Sequence, residues 1–159
     1  DKNTNLLFGD AATVTWMKPM TSSMLLPKHF KFATRGIEGK ALDNDSGNLQ
    51  MKGRQVFNFT VKQVPPQIEA VLEEAKLRHD DIDLYLFHQG SKFLVDHLAA
   101  RMKLPPNKVP MQLKDFGNTV SSSVPLLIEE FVLGKQHAKI LISGFGVGLS
   151  WASAILEKT

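Results

Sequence analysis

Asp83-Leu84-Tyr85-Leu86-Phe87-His88-Gln89-Gly90-Ser91 is the stretch on which the reading of this chain turns. Its run of large apolar residues, Leu84 to Phe87, suits a short strand buried on both faces, and the polar residues after it mark an exit into a loop. A strand covered on both faces needs helices beside it. Upstream, Ile68, Val71, Leu72 and Ala75 fall at i, i+3, i+4 and i+7, one buried helical face. They belong to a helical segment, Val56–Leu77, that Pro65-Pro66 is expected to break or kink. Downstream, Leu94, Leu98 and Met102 form a second stripe, stopped by Pro105-Pro106. Further out, Val109–Leu113 reads as a strand and Asp115–Thr119 as a tight loop. Val120, Val124, Leu127, Ile128 and Phe131 mark another helix, closed by Gly134. Lys139–Ser143 reads as a strand, Gly144–Gly148 as a turn and Leu149–Leu156 as the last strand. Before all of these, Leu6–Met17 and Leu25–Ala33 have strand composition. Arg35–Leu49, with Gly36, Gly39, Gly47, Asn44, Asp45 and Ser46, reads as a loop. Strands alternating with helices predict an α/β layered fold, with a mixed sheet because both ends are hairpin-like.

Bulk properties narrow the function. The 159 residues suit one domain spanning 1–159, and 43% hydrophobic with 22% charged residues is ordinary for a globular chain. The net charge of +3 is scattered, so no nucleic-acid-binding tail is expected, although an acidic partner would be favoured. Cysteine is absent. That excludes a disulfide framework, a cysteine-built zinc site and a Cys nucleophile within these residues. No apolar run reaches membrane-spanning length and no signal-like segment opens the chain, so a cytoplasmic location is expected. Asp1 is not an initiator Met and a strand-like segment follows almost at once, which reads as a fragment of a longer chain.

Ligands of α/β sheets gather where strands end and loops begin, and three such loops carry distinctive residues. His88 leaves the buried strand with a side chain able to donate, accept or act as a base near neutrality. Taken alone, a histidine satisfied by backbone groups at a strand end is the commoner case. Gly117-Asn118-Thr119 precedes a helix; it suits a plain cap, or an Asn118 amide aimed at the cleft of His88. Gly144-Phe145-Gly146-Val147-Gly148 suits a glycine-rich hairpin, or a backbone N–H exposed to stabilise an oxyanion. Its spacing is not that of a dinucleotide fingerprint, since a strand follows where a helix is needed. His29, His79, His97 and His137 show no metal-ligand spacing, and no metal is expected. Lys92 and Arg101 are either solvated or placed to meet a phosphate.

Together these loops resemble the second half of the β-ketoacyl-[acyl-carrier-protein] (ACP) synthase III family of the thiolase superfamily. The resemblance rests on Leu7-Phe8-Gly9-Asp10-Ala11-Ala12, on Met51-Lys52-Gly53-Arg54-Gln55-Val56-Phe57, on His88-Gln89-Gly90-Ser91, on Gly117-Asn118-Thr119-Val120-Ser121-Ser122-Ser123, and on Gly144-Phe145-Gly146-Val147-Gly148 before Trp151. Any one would be weak; in this order, over Leu6 to Leu156, they outweigh the plain readings of His88 and Asn118.

The resemblance implies one βαβαβαββ half, a mixed five-stranded sheet with helices, of a thiolase-like α-β-α-β-α sandwich. It implies decarboxylative Claisen condensation of an acyl-CoA primer with malonyl-ACP. The nucleophilic cysteine would lie in the N-terminal half, and the full-length protein would be a homodimer. His88 and Asn118 match the catalytic histidine and asparagine. Phe145 matches an aromatic wedge, and Gly146 and Val147 the turn whose backbone N–H serves as an oxyanion donor. Gly53, Phe57, Gln89, Ser91, Lys92 and Arg101 would meet substrate. The substrates are CoA and phosphopantetheine thioesters, with no cofactor beyond them and no membrane partner. Three departures stand out: Gly90-Ser91 for the usual Ala-Asn, Val147 for Gly, and Phe93 where relatives often carry an Arg that meets the carrier's phosphate. Two alternatives remain: acyl transfer to an alcohol or amine without condensation, and a non-catalytic half that docks on an active partner.

Overall fold

A computed structural model describes residues 4, 6–44 and 47–159; Asp45 and Ser46 of the expected loop lie outside the described residues. Four strands form the main sheet: β1 (Leu25–Thr34), β4 (Leu84–Phe87), β5 (Lys139–Gly146) and β6 (Ser150–Lys158), in the order β1-β6-β5-β4. β4 and β5 run parallel, while the β5–β6 and β6–β1 pairs are antiparallel, so the sheet is mixed as expected. β2 (Leu42–Asp43) and β3 (Gln50–Met51) make a small separate hairpin inside what the composition marks as loop.

All four residues of β4 are buried. Its side chains alternate, as the two-residue repeat of a strand requires. Tyr85 and Phe87 join a core with Val64, Ile68 and Val71 of α1 (Gly53–Ala75) and Leu94 and Leu98 of α2 (Lys92–Arg101). Leu84 and Leu86 face the opposite way, onto Leu127 of α4 (Ser123–Phe131), with Val132, Ile140 and Leu156. Helices therefore cover both faces, which is why the strand has no polar side. α3 (Leu113–Phe116) is a single turn before the Asn118 loop.

Three expectations need correction. α1 runs unbroken through Pro65 and Pro66. An interior proline costs about 3 kcal/mol, because it removes one backbone hydrogen bond and crowds the preceding turn. Burying Val64, Ile68, Val71 and Leu72 returns about 1.5–3 kcal/mol for each side chain, enough to hold the helix on the sheet. Pro66 and Lys62 both lie on the exposed side of the helix. Leu6–Met17 is not a strand. It touches the Asn118 loop through a single parallel bridge, Phe8 with Asn118, and Leu6, Val14, Trp16 and Met17 stand 80–95% exposed. Strand propensity reflects packing on a half-buried surface, and these side chains have none here. Val109–Leu113 is also irregular. Pro110 cannot donate to a ladder, and the Gln112 N–H is taken by the Gln89 side chain. The main sheet thus has four strands among the described residues, where five were expected.

Two substitutions test the balance in α1. Pro66→Ala, which restores a backbone N–H and its hydrogen bond on the exposed side, raises stability by about 1–3 kcal/mol. Ile68→Ala, which opens the core, lowers it by about 2–5 kcal/mol. Denaturant midpoints of the two variants against the unaltered protein check both directions.

Candidate active site

His88 is the first residue beyond β4, and its N–H donates to the Ser143 carbonyl (2.8 Å), extending the ladder one residue past the strand. That bond sets where the side chain leaves the sheet. Its Nδ1 lies 2.8 Å from the hydroxyl of Ser123, the first residue of α4. Its ring meets Phe145 edge to face, with centroids 5.3 Å apart and planes at 82°. Burial among these groups pushes the imidazole down to about 4, against the opposing pull of the Val120 carbonyl. His88 is therefore neutral at neutral pH.

Asn118 is 6% exposed and is held by the backbone around it. Its N–H donates to the Leu7 carbonyl (2.9 Å), and its carbonyl accepts the Gly9 N–H (3.0 Å). The two chain segments approach so closely that a Cβ at Gly9 would stand only 1.9 Å from the Phe116 carbonyl oxygen, and Gly117 takes φ +65°. Both positions require glycine. The Asn118 Oδ1 accepts the Val120 N–H (3.0 Å), which fixes the amide plane. The NH2 group has no partner among the described residues, so its donors are uncommitted.

His88, Asn118 and Phe145 border one cavity of about 1020 Å³. Gly53, Phe57, Ser91, Gly146 and Val147 also line it, so most of the residues singled out from the sequence come together. Three do not. Gln89 is 2% exposed and turns inward, donating to the Phe87 carbonyl (2.9 Å) and accepting from the Gln112 N–H (3.1 Å). Lys92 is ion-paired with Asp96 on the outer face of α2. Arg101 ends that helix, about 14 Å from Lys92 at 1.5 Å per residue. Ser91 lines the cavity while capping α2, its hydroxyl accepting the Leu94 N–H (3.2 Å).

Sequence reasoning missed other lining residues: Arg54, Asn58, Val124 and Ser123. Arg54 beside Gly53 was the available signal, a cation at a helix start that borders the cleft. Phe93 is 61% exposed at the cavity, and its ring packs 5.1 Å from Phe57 and 4.0 Å from His97. The position expected of a phosphate-meeting Arg is thus an aromatic one. Among the described residues no three acidic, histidine or cysteine side chains are grouped to hold a metal, and no helix is long and apolar enough to cross a membrane.

Comparison with known proteins agrees with this geometry. The profile of the family described as 3-oxoacyl-[acyl-carrier-protein (ACP)] synthase III C terminal matches residues 72–158, more than half of the chain. The chain belongs to this family. It is similar to the β-ketoacyl-ACP synthase III of Geobacillus kaustophilus, 36% identical over 160 residues that cover 99% of this chain and 51% of that protein. It is also similar to that of Lactococcus lactis, 33% identical over 176 residues, covering 99% of this chain and 54% of that one. Among solved structures, the β-ketoacyl-ACP synthase III of Thermus thermophilus superposes with a TM-score of 0.86 at 29% identity, covering 100% of this chain and 54% of that one. The chain spans about half the length of the curated relatives it matches. The thiolase-like fold and its place as the C-terminal half of a synthase III-like enzyme follow.

The neutral state of His88 has a consequence for stability. With a folded pKa near 4 against an ordinary 6.5, the unfolded chain binds the proton more tightly throughout that window. The part of stability due to His88 is full above about pH 6.5 and falls as pH drops towards 4. A His88→Gln variant loses this slope, so its unfolding free energy declines less than that of the unaltered protein between those pH values. Parallel slopes in denaturant titrations would contradict the buried, neutral assignment.

Proposed function

We propose that this domain, completed by a cysteine from outside these 159 residues, catalyses decarboxylative Claisen condensation of an acyl-CoA primer with malonyl-ACP. The observation that carries the reading is convergence: the uncommitted Asn118 amide and the neutral His88 ring border one cavity, with Phe145 against the imidazole. In the reaction the bond between the malonyl methylene and its carboxylate breaks, and carbon dioxide leaves. The electron pair moves to the thioester oxygen as an enolate. Asn118 Nδ2 and a protonated His88 Nε2 then stabilise that charge as it appears. The enolate carbon attacks the acyl-cysteine carbonyl, the new C–C bond forms, and the cysteine thiolate departs. Phe145 keeps water from the carbanion, and the Val147 N–H serves the acyl-enzyme oxyanion. Exposed Trp16, Phe32 and Ile37 suit cover by the companion half or by a second subunit.

A second reading, acyl transfer to an alcohol or amine without condensation, is favoured by one feature. Ser123 accepts from the backbone N–H of Gln89 (3.3 Å) and donates to the Val120 carbonyl (2.9 Å), an arrangement that draws the His88 proton onto Nδ1 and leaves Nε2 as a base.

Two experiments separate these readings. With no cysteine, the 159-residue chain alone retains no covalent label from radiolabelled acyl-CoA after denaturation, and stable labelling would contradict the assignment. In the full protein, Asn118→Ala and His88→Ala each lower carbon dioxide release from malonyl-ACP about a hundred- to a thousand-fold, while cysteine acylation survives. The double variant is scarcely worse than either single one, since both donors serve one oxygen. Undiminished carbon dioxide release in Asn118→Ala would overturn the site, and acyl transfer to an alcohol or amine by the full protein with no carbon dioxide release from malonyl-ACP would favour the second reading.

A further inference from the structure

The buried hydroxyl of Ser123 stands at a branch point. Ser123 is 2% exposed, and its oxygen lies 2.8 Å from His88 Nδ1, 2.9 Å from the Val120 carbonyl and 3.3 Å from the Gln89 N–H. A hydroxyl has one proton to give and two lone pairs to receive with. Two arrangements are possible. In one, Ser123 donates to the Val120 carbonyl and accepts from both Gln89 N–H and His88 Nδ1–H; three bonds form, and His88 Nε2 is a bare acceptor in the cavity. In the other, Ser123 turns its proton to Nδ1, and the ring must then carry its own proton on Nε2, which becomes a donor. The first makes one more hydrogen bond within the protein, which favours it in the free protein.

The second is the one condensation needs. Gln89 N–H points to the Ser123 oxygen, the Val120 N–H is held by Asn118 Oδ1, and the Val120 carbonyl is an acceptor. Among the described residues, Ser123 is therefore the only group at Nδ1 with a proton to offer it.

We infer that Ser123 is a positioning residue that switches His88 from acceptor to donor, by turning its hydroxyl from the Val120 carbonyl to Nδ1 when a thioester oxygen arrives at Nε2. The inference rests on the condensing reading above. The exchange conserves protons: one leaves Nδ1 for water and one reaches Nε2 from water, through the open cavity. The bond lost at the Val120 carbonyl is replaced by the bond from Nε2 to the substrate oxygen. The Gly117-Asn118-Thr119 loop reads from sequence as a plain cap of the helix after it, but the N-cap position, Ser122, makes no side-chain cap bond, and Ser123 gives its proton to the Val120 carbonyl.

The test uses the full protein with 15N-histidine, its His88 signals assigned by their loss in His88→Gln. The probe is the malonamide of phosphopantetheine, whose nitrogen in place of the thioester sulfur prevents decarboxylation. Nitrogen chemical shifts distinguish the two neutral tautomers directly. The free protein shows its proton on Nδ1, and the malonamide moves it to Nε2. In Ser123→Ala the proton stays on Nδ1 with or without the probe. Carbon dioxide release in that variant falls about a hundred- to a thousand-fold, the scale of one lost oxyanion donor, while acylation of the cysteine is kept. Ser123→Thr, which retains the hydroxyl, restores both the shift and the rate. A purely structural role would lower acylation and decarboxylation together. Free protein with its proton already on Nε2, or Ser123→Ala that decarboxylates at the unaltered rate, overturns the inference and leaves the condensing reading standing. Unaltered protein that acylates but releases no carbon dioxide overturns that reading instead.

Discussion

The parallel pairing of β4 with β5 is the constraint from which the rest of the site follows. It is pinned at both ends. At the start, the Asp83 carboxylate accepts the backbone N–H groups of Ala138 (2.6 Å) and Lys139 (3.0 Å). Partial burial would raise the pKa of Asp83, but these two bonds outweigh it and hold the carboxyl below its usual range. At the finish, the His88 N–H closes on the Ser143 carbonyl. Between these clamps, a slip of one residue would turn Tyr85 and Phe87 out of one core and Leu84 and Leu86 out of the other. The same register brings the His88 ring to Phe145, two residues beyond Ser143 on the neighbouring strand. Fold energetics and site geometry thus depend on one set of backbone bonds.

Asn118 is positioned by a different device. Neither a helix nor a strand carries it; two glycines let the Leu7–Gly9 segment and the Phe116–Asn118 loop lie almost in contact, and reciprocal backbone bonds lock them. The segment before β1, exposed over much of its length, is consequently part of the site's scaffold. Thr13 extends the association by donating to the Ser122 hydroxyl (3.3 Å). A candidate site drawn from a strand end, a clamped loop and a hairpin keeps each group on its own rigid support, the kind of arrangement that limits reorganisation where charge develops.

Sequence reasoning read the parts of this arrangement that depend on local pattern. The apolar run of β4, the exit of His88 from it, the buried stripe Ile68 to Ala75 and the Gly117-Asn118 pair are all encoded in neighbouring residues. It failed where a distant partner decides. Pro65 and Pro66 break a helix in isolation, and only the sheet beneath α1 keeps it continuous. Leu6–Met17 has strand composition, but among the described residues its one ladder contact is the Phe8–Asn118 bridge and it joins no strand of the main sheet. Gln89 lies next to His88 in sequence, yet a side chain that satisfies Phe87 and Gln112 cannot also face the cavity. Ser123 belongs to the site only because α4 packs beneath β4 and sets its hydroxyl against the imidazole, a contact between residues 35 positions apart.

The proposed convergence of Asn118 and His88 on one substrate oxygen is tested most directly by a crystal structure of the full protein holding the malonamide of phosphopantetheine. The malonamide carbonyl oxygen should lie within about 3 Å of both Asn118 Nδ2 and His88 Nε2, the distance at which such donors act. A carbonyl oxygen held elsewhere, with either nitrogen beyond hydrogen-bonding reach, would contradict the assignment of this cavity as the condensing site.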